Sequence, residues 1–194
     1  MSTTEHKLPL AVAKNVAERF ITYLTPYVSK VSVAGSVRRE VDFCGDVEVC
    51  AIPKDEFSMS LAFPFGFKGL TINGERLKRF IYPESGIQIE LYLPQPHDYG
   101  RILAIRTGSS GFAHYLMVEA NRHGWIGTVD GLRRKKECEK KGSVWKILPQ
   151  YKTNPTLPPI FSTEMQFFEL IGVNYIEPKQ RSWVSQNQEY NYKL

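Results

Sequence analysis

The chain contains 194 residues, of which 42% are hydrophobic and 12% aromatic, and it carries a formal net charge of +5 at pH 7. This composition excludes wholesale disorder, and the lack of any apolar run near about 18 residues excludes a transmembrane helix, so the sequence predicts one domain or two closely packed subdomains. The positive charge is compatible with a phosphate-rich partner, although a mildly basic protein is more often merely soluble.

The chain begins with a predicted helix and a predicted strand. Residues 9–25 carry apolar side chains at the spacing of an amphipathic helix, which predicts a helix packed behind a sheet. Residues 30–34 are rich in β-branched side chains and predict a strand that ends at the flexible Gly35. The strand therefore leads to a position where the backbone can turn sharply.

A candidate anion site follows this strand. Gly35 is small and Ser36 opens a turn, so backbone N–H groups can approach an anion closely. Arg38 and Arg39 supply forked guanidinium donors that match phosphate oxygens. A Gly-Ser pair alone is usually an ordinary turn, but together with the two arginines it predicts a site that fits a triphosphate.

Two carboxylates follow the anion site, on the next predicted strand. Over residues 46–53, Asp46 and Glu48 point to one face, while Val47 and Val49 point to the other. The Cα atoms of the two acidic residues would lie roughly 6.5 Å apart, and like charges at that distance disfavour each other unless a cation lies between them. Mg²⁺, which prefers oxygen ligands, is the natural cation. Such a pair alone is usually part of a solvated face, so the neighbouring anion site is what indicates a metal centre.

A third carboxylate is predicted on a later strand. Residues 57–67 predict a loop or short insertion, and residues 70–82, which contain an Asn-Gly turn signal, predict a hairpin. Residues 86–94 alternate apolar and polar side chains, which predicts a half-buried strand with Glu90 on its polar face. If this strand lies beside the first carboxylate strand with matching faces, Glu90 joins the other two carboxylates, and two metal ions could hold the reacting oxygens in line.

The second half of the chain changes character after residue 95. Residues 99–105 and 111–123 predict helices, and residues 124–147 predict a β-rich segment. Residues 148–160 contain four prolines and predict a linker or extended loop.

A basic run within the β-rich segment has two interpretations. Its members are Arg133, Arg134, Lys135 and Lys136. As a functional feature, the run would contact the backbone of DNA, and each neutralised phosphate would add to the salt dependence of binding. As an ordinary feature, it would be a solvated hairpin tip, softened by the acidic Glu137. Arg181, near the end of the chain, would either contact the template or close the domain.

Taken together, these segments resemble one known family. Gly35–Arg39 followed by Gly45–Glu48 is similar to the palm signature of family X DNA polymerases, the DNA polymerase β-like nucleotidyltransferases. Four further segments resemble the family's motifs and follow in the family's order, so that the resemblance covers about residues 9 to 183. They are the Glu90 strand, Arg106–Ser109, Ser162–Leu170 and Tyr175–Arg181. The first motif is shared by the wider nucleotidyltransferase superfamily, whereas the last two point to family X specifically.

The resemblance implies an α+β fold with two parts. Residues 1–95 would form a nucleotidyltransferase palm, which is a mixed sheet backed by helices. Residues 96–194 would form a small α/β C-terminal subdomain that binds nucleotide and DNA. Only about eight residues precede the first helix, so the expectation is the minimal form without the helix-hairpin-helix lyase domain, as in compact viral members.

The resemblance also assigns roles to residues. Asp46, Glu48 and Glu90 would bind two catalytic Mg²⁺ ions, with Mn²⁺ as a substitute, and Glu90 would draw the proton from the primer 3′-OH. The incoming nucleoside triphosphate would be held by Gly35, Ser36, Arg38, Arg39, Gly45, Arg106, Thr107, Gly108 and Ser109. The implied reaction transfers a nucleotide from a dNTP to a DNA primer and releases pyrophosphate, in repair or gap filling.

Four departures from the family pattern leave questions open. The family usually carries aspartates, whereas this chain has glutamate at two of the three metal positions. One alignment places Gln88 at the third position, and we prefer Glu90 because a neutral amide is a poor base. Arg106 replaces the aromatic residue that faces the sugar, so the choice between deoxyribose and ribose stays open. Ala113 lies near the place of a base-contacting Asn, so nucleotide readout stays open as well.

The expected partners are DNA and a nucleoside triphosphate. The DNA would be a primer/template or a gapped duplex, and the protein would be a soluble intracellular monomer of phage or viral type. Three cysteines without Cys-x-x-Cys spacing favour a reducing compartment. Two alternatives remain. The first is a nucleotidyltransferase that works without a template or that modifies RNA ends, small molecules or proteins. The second is a catalytically weak DNA-binding relative.

Overall fold

The computed structural model describes residues 7–55, 68–152 and 157–182 of the chain. The predicted loop over 57–67 lies outside these residues, as does part of the predicted linker. The helices are α1 (Leu10–Leu24), α2 (Gly35–Arg38), α3 (Tyr99–Thr107), α4 (Ser110–Arg122) and α5 (Glu164–Leu170). The strands are β1 (Leu8–Pro9), β2 (Val28–Val33), β3 (Phe43–Cys44), β4 (Asp46–Pro53), β5 (Lys68–Asn73), β6 (Leu77–Ile81), β7 (Gln88–Tyr92), β8 (Trp125–Thr128), β9 (Gly131–Arg134), β10 (Cys138–Lys141) and β11 (Val144–Ile147).

The largest sheet has five strands in the order β2-β4-β7-β6-β5. The β4–β7 pair is parallel and the other three pairs are antiparallel, so the sheet is mixed. Parallel neighbours need a long crossover connection, and here the β5–β6 hairpin lies within that connection. The crossover brings two strands that are distant in sequence side by side at the centre of the sheet.

One face of this sheet packs against α1. The strands alternate apolar and polar side chains, and the helix carries its apolar side chains at helical spacing, as the sequence predicts. Val47 and Val49 of β4 and Ile89 of β7 are completely buried. The helix contributes buried side chains at helical spacing: Ala13, Val16, Ala17, Phe20 and Leu24. Each large apolar side chain that is fully buried stabilises the fold by about 1.5–3 kcal/mol. The charged ends of Asp46 and Glu48 therefore lie on the opposite face of the sheet.

A second core forms around α3, α4 and α5. Its completely or almost completely buried members include Phe112, Leu116, Phe161, Phe167 and Phe168. Gly100 permits this packing, because a Cβ there would collide with the backbone carbonyl of Thr163. The segment before α5 is thereby held directly against α3.

The β-rich segment forms two antiparallel hairpins, β8–β9 and β10–β11. A short 3-10 turn over Lys135–Glu137 connects them. The basic run therefore lies at the end of β9 and in this connection, not at a hairpin tip. The sequence predicted a β-rich segment here, but it could not give the bounds of the individual strands or the residues that connect them.

The sequence predicted the fold class at the level of elements. The structure is a mixed α+β fold with a five-stranded sheet backed by helices, and the first helix, the hairpin, the two central helices and the late helix all occur where expected. The turn expected at Ser36 is instead the one-turn helix α2, which is too short to produce a helical pattern. Within the described residues, no helix is long and apolar enough to cross a membrane. The boundary at residue 95 stays a prediction.

Candidate active site

The candidate anion site is formed by α2, which starts directly after β2. Gly35 has a positive φ of 60°, a conformation that L side chains rarely adopt. A Cβ at this position would also collide with the carboxylate of Glu48. Glycine is therefore required for two reasons, and it brings the backbone of α2 directly against the first carboxylate strand.

Two polar groups in this site are buried without an intramolecular partner. Within the part of the chain that the structure describes, Ser36 Oγ and Arg39 Nε have no hydrogen bond. The other end of the Arg39 guanidinium is anchored, because its Nη1 donates to the backbone carbonyl of Thr107 at 2.7 Å. An unsatisfied buried polar group costs about 1–3 kcal/mol, and both atoms can donate a hydrogen bond to an acceptor that comes within reach.

The three predicted metal carboxylates lie on two adjacent strands. In the parallel β4–β7 pair, Glu48 is directly opposite Glu90, and Asp46 is directly opposite Gln88. All four side chains share one face of the sheet, because β-strand residues alternate with a period of two. The sequence predicted this cluster only if the two strands were neighbours. The structure shows that they are.

The carboxylates of this face repel one another. Burial, followed by the charges of Asp46 and Glu90, raises the pKa of the Glu48 carboxyl to about 8. Burial and the charge of Glu90 also raise the pKa of Asp46. The nearby guanidinium groups of Arg39 and Arg79 offset only part of this effect at Asp46. The nearby arginines therefore do not fully neutralise the carboxylates of this face.

Glu90 has several hydrogen-bond donors close to its carboxylate. Arg79, opposite it on β6, donates to Glu90 Oε1 from Nε at 2.9 Å and lies 2.6 Å away through Nη2. Gln88 Nε2 donates to the same oxygen at 3.1 Å, and the Tyr92 hydroxyl donates to Oε2. Both oxygens of Glu90 are therefore occupied by hydrogen-bond donors.

This arrangement bears on the metal prediction in two ways. No group of three or more His, Cys, Asp or Glu side chains within the described ranges has the geometry to hold a metal ion. The oxygens of Glu90 already accept hydrogen bonds from Arg79, Gln88 and Tyr92. The donor set nevertheless fits a divalent cation, since oxygen ligands suit Mg²⁺ and a cation would relieve the repulsion that raises the pKa values of Asp46 and Glu48.

The second predicted nucleotide segment, Arg106–Ser109, lies beside the anion site. Thr107 is buried, and its hydroxyl accepts a hydrogen bond from Arg38 at 2.6 Å. Ser109 caps α4 by accepting from the Phe112 backbone N–H at 3.3 Å. The fold brings these two parts of the sequence together, with Arg38 and Arg39 of the first part bound to Thr107 of the second.

Arg106 occupies a distinct position at the edge of the carboxylate cluster. Its side chain is exposed, and its guanidinium carbon lies 4.1 Å from the centre of the Tyr92 ring. Its charge also favours ionisation of Glu48, where it partly opposes the raised pKa that burial produces. An exposed cation of this kind can reach a ligand bound over the cluster.

A buried ion network behind the site was missed by sequence reasoning. Arg38 donates to both oxygens of Glu164, at 2.8 and 2.6 Å, and Arg181 donates to the same carboxylate at 2.5 Å. Burial opposes ionisation of Glu164, but the hydrogen bonds from the two arginines outweigh it and hold the pKa of this carboxyl below its ordinary value of 4.5. No local pattern marks this pairing, because Arg38 and Glu164 are 126 positions apart.

The predicted DNA contacts divide into exposed and buried residues. Lys135 and Lys136 are exposed, and the exposed Arg134 lies over the Trp125 ring at 3.8 Å. Arg133 is 8% exposed, and Arg181 is completely buried. The guanidinium of Arg181 therefore closes the domain, which is the second of the two roles considered for it, and it does not lie at the surface.

Comparisons with known proteins leave the function to be argued from this geometry. No protein-family model matches the chain, and no curated protein matches it.

Proposed function

We propose that the protein is a metal-dependent nucleotidyltransferase with a palm of the family X DNA polymerase type. It would transfer a nucleotide from a dNTP to the 3′-OH of a DNA primer and release pyrophosphate. The observation that carries this proposal is the pair of buried, partnerless donors, Ser36 Oγ and Arg39 Nε, beside a face that holds three carboxylates. Donors for phosphate next to ligands for a cation match the two halves of a metal–triphosphate complex.

The metal ions would be held by Asp46, Glu48 and Glu90. When bound, Mg²⁺ would neutralise the charge that develops on the transferring phosphoryl group. Glu90 would exchange hydrogen bonds from Arg79 for this interaction, because its oxygens already have donors.

The other residues of the site would position the substrates. Ser36, Arg39 and the backbone of α2 would bind the terminal phosphates of the nucleotide. Thr107 and Gly108 would lie along its sugar, held there by the hydrogen bonds between Thr107 and the two arginines of the anion site. Glu90 is the candidate for accepting the proton of the primer hydroxyl. Fixed positions of this kind supply much of the rate in phosphoryl transfer.

Primer extension on gapped DNA with Mg²⁺ or Mn²⁺ tests the proposal. Wild-type protein should extend the primer, whereas Asp46→Asn should reduce extension to background. Asp42→Asn is the matched control and should retain activity, because Asp42 lies close to Asp46 in the sequence but is exposed. Undiminished extension by Asp46→Asn would exclude this site assignment.

The third ligand can be tested separately. Glu90→Gln should abolish extension, and Gln88→Ala should have the smaller effect, because Glu90 is the only acidic residue of β7. The reverse result would move the third position to Gln88.

A second candidate function is suggested by Arg106. Its exposed guanidinium at the cluster edge offers hydrogen bonds to a sugar hydroxyl, where the family carries an aromatic ring. We therefore propose ribonucleotide transfer, or template-independent addition, as the alternative. Extension with each dNTP and each rNTP separately, with and without template, distinguishes the two, since only a templated DNA polymerase gives matched deoxynucleotide products.

A further inference from the structure

A cleft on the paired hairpins has chemistry that the candidate active site does not use. It has a volume of about 390 Å³ and lies between the β8–β9 turn and strand β11. The residues that define its character are Val129, Arg133, Val144, Trp145, Lys146 and Lys152.

The apolar part of the cleft is open to solvent. Trp145 is only half-buried, and Val129 and Val144 are 62% and 45% exposed. Isolated exposed apolar residues are common, but here two aliphatic side chains and an indole line one concave surface. Such a surface fits a flat, partly apolar group, and an indole ring adds the capacity to stack.

The polar part of the cleft is positively charged. Arg133, Lys146 and Lys152 line it together with one carboxylate, Asp130. That carboxylate also lies 3.9 Å from Arg76, which offsets its charge. The lining is therefore complementary to an anion.

The positive charge continues on the same pair of hairpins. A second, more open recess is lined by Gly124, Arg134, Lys135 and Lys136. Arg134 there lies over the Trp125 ring at 3.8 Å. The positively charged surface therefore extends beyond the cleft to this second recess.

We propose that this cleft binds single-stranded DNA, with one base against Trp145 and phosphates at Lys146 and Lys152. The inference rests on the proposed function for the choice of DNA, and it identifies where a single-stranded template would lie. Among anionic polymers, a single strand is the one that offers both unpaired bases for stacking and regularly spaced phosphates. An acidic peptide would satisfy the lysines but not the indole.

The test is the affinity of the full chain for a labelled oligothymidylate of about twelve nucleotides, which is within the usual range for a single-stranded site. Measurements in EDTA by fluorescence anisotropy exclude metal-dependent binding in the active site. Trp145→Ala should weaken binding about 5- to 150-fold, because stacking on an aromatic ring is worth about 1–3 kcal/mol per base. Trp145→Phe should restore most of the affinity, which a merely misfolded hairpin would not allow.

The lysines give an independent measurement. Lys146 and Lys152 are exposed, so a Lys146→Gln, Lys152→Gln double variant should fold normally. It should reduce the slope of log affinity against log salt by about 1.4, at about 0.7 per phosphate contact on a single strand. Lys54→Gln is the matched control, because Lys54 is an exposed lysine that directly follows β4, away from the hairpins, and its slope should equal that of the wild type.

The outcomes separate this inference from the proposed function. If Asp46→Asn and wild type bind the oligonucleotide equally and both depend on Trp145, the cleft stands even where nucleotidyl transfer fails. If transfer occurs but Trp145→Ala and the double lysine variant bind like wild type, the cleft assignment is overturned alone. Displacement of the oligonucleotide by polyglutamate, with no dependence on Trp145, would also overturn it, because the cleft would then be an unspecific anion surface.

Discussion

Glu48 and Glu164 are both removed at least in part from solvent, but the charged side chains around them differ. Glu164 is buried and accepts hydrogen bonds from Arg38 and Arg181, so its pKa lies below the ordinary value in spite of burial. Glu48 is half-buried beside Asp46 and Glu90, and burial together with these charges raises its pKa to about 8. One carboxylate is paired within the protein, and the other is held among like charges.

The difference separates a structural group from a candidate functional one. Arg38 and Arg181 satisfy Glu164, so this network closes the fold between α2, α5 and the end of the described chain. The carboxylates around Glu48 instead repel one another. Carboxylates whose pKa values are perturbed in this way concentrate at functional sites. The same residue type therefore gives different predictions in the two places.

The largest effect is expected for Glu164→Gln. Removal of the carboxylate leaves the fully buried Arg181 without its charged partner, and breaking a buried pair in this way costs about 3–5 kcal/mol. Urea unfolding should therefore show a large loss of stability. Glu169→Gln, an exposed position on the same helix, should change stability by less than about 0.5 kcal/mol. Equal small effects for both variants would mean that the network contributes little.

The same pair predicts a dependence on pH. A carboxyl whose pKa is lowered on folding stabilises the protein above its unfolded pKa, and this contribution is lost as the pH falls through the folded value. The stability difference between wild type and Glu164→Gln should thus be constant above about pH 6 and should shrink below 4.5, the ordinary pKa of Glu164. Denaturant unfolding of both proteins across this range measures it. A difference that grows on acidification would contradict the pairing.

The contrast between the two glutamates also shows what the sequence can predict. Alternation with a period of two correctly placed Asp46 and Glu48 on the face opposite Val47 and Val49, because strand geometry is local. It also placed Glu90 on the polar face of its strand. The pairing of these two strands depends on contacts between residues far apart in the chain, so local patterns could not predict it.

Long-range pairing is where sequence reasoning failed. Glu164 was not identified, since its partner Arg38 is 126 positions away. For Arg181 the sequence offered two roles, a contact to the template or closure of the domain, and it could not identify the buried carboxylate with which this residue pairs. The partners of Glu90 show the same limit, because Arg79 reaches it only through the pairing of β6 with β7. Local patterns give faces and turns, whereas charge pairing across the fold requires coordinates.

The amide substitution at Glu48 should have the opposite sign to that at Glu164. At a pH above its pKa of about 8, Glu48 is ionised, so Glu48→Gln then removes a like charge from the cluster. In metal-free buffer at that pH, the variant should be more stable than the wild type by about 0.5–2 kcal/mol, the usual range for one stabilising substitution. Urea unfolding in EDTA measures this gain, and primer extension should be lost in the same variant. Destabilisation by Glu48→Gln would show that the carboxylate is satisfied inside the fold and would remove the distinction between the two clusters.

The smallest effect is expected at Arg79, the counter-ion of Glu90. A divalent cation and the Arg79 guanidinium compete for the same carboxylate oxygen, which lies 2.9 Å from Nε and 2.6 Å from Nη2. The Arg79 side chain is 33% exposed, so the pair is partly screened and its loss is worth only about 1 kcal/mol.

Arg79→Gln should therefore raise the affinity for Mn²⁺ about fivefold, measured by electron paramagnetic resonance without nucleotide. Arg76→Gln is the matched control, since the Arg76 partner is Asp130 and not a carboxylate of the cluster, and its affinity should match that of the wild type. Because Arg79→Gln frees a ligand and also removes a positive charge, both effects act in the same direction. An unchanged or weaker affinity in this variant would mean that Glu90 does not contribute to the metal site, and the unpaired cluster would then be limited to Asp46 and Glu48.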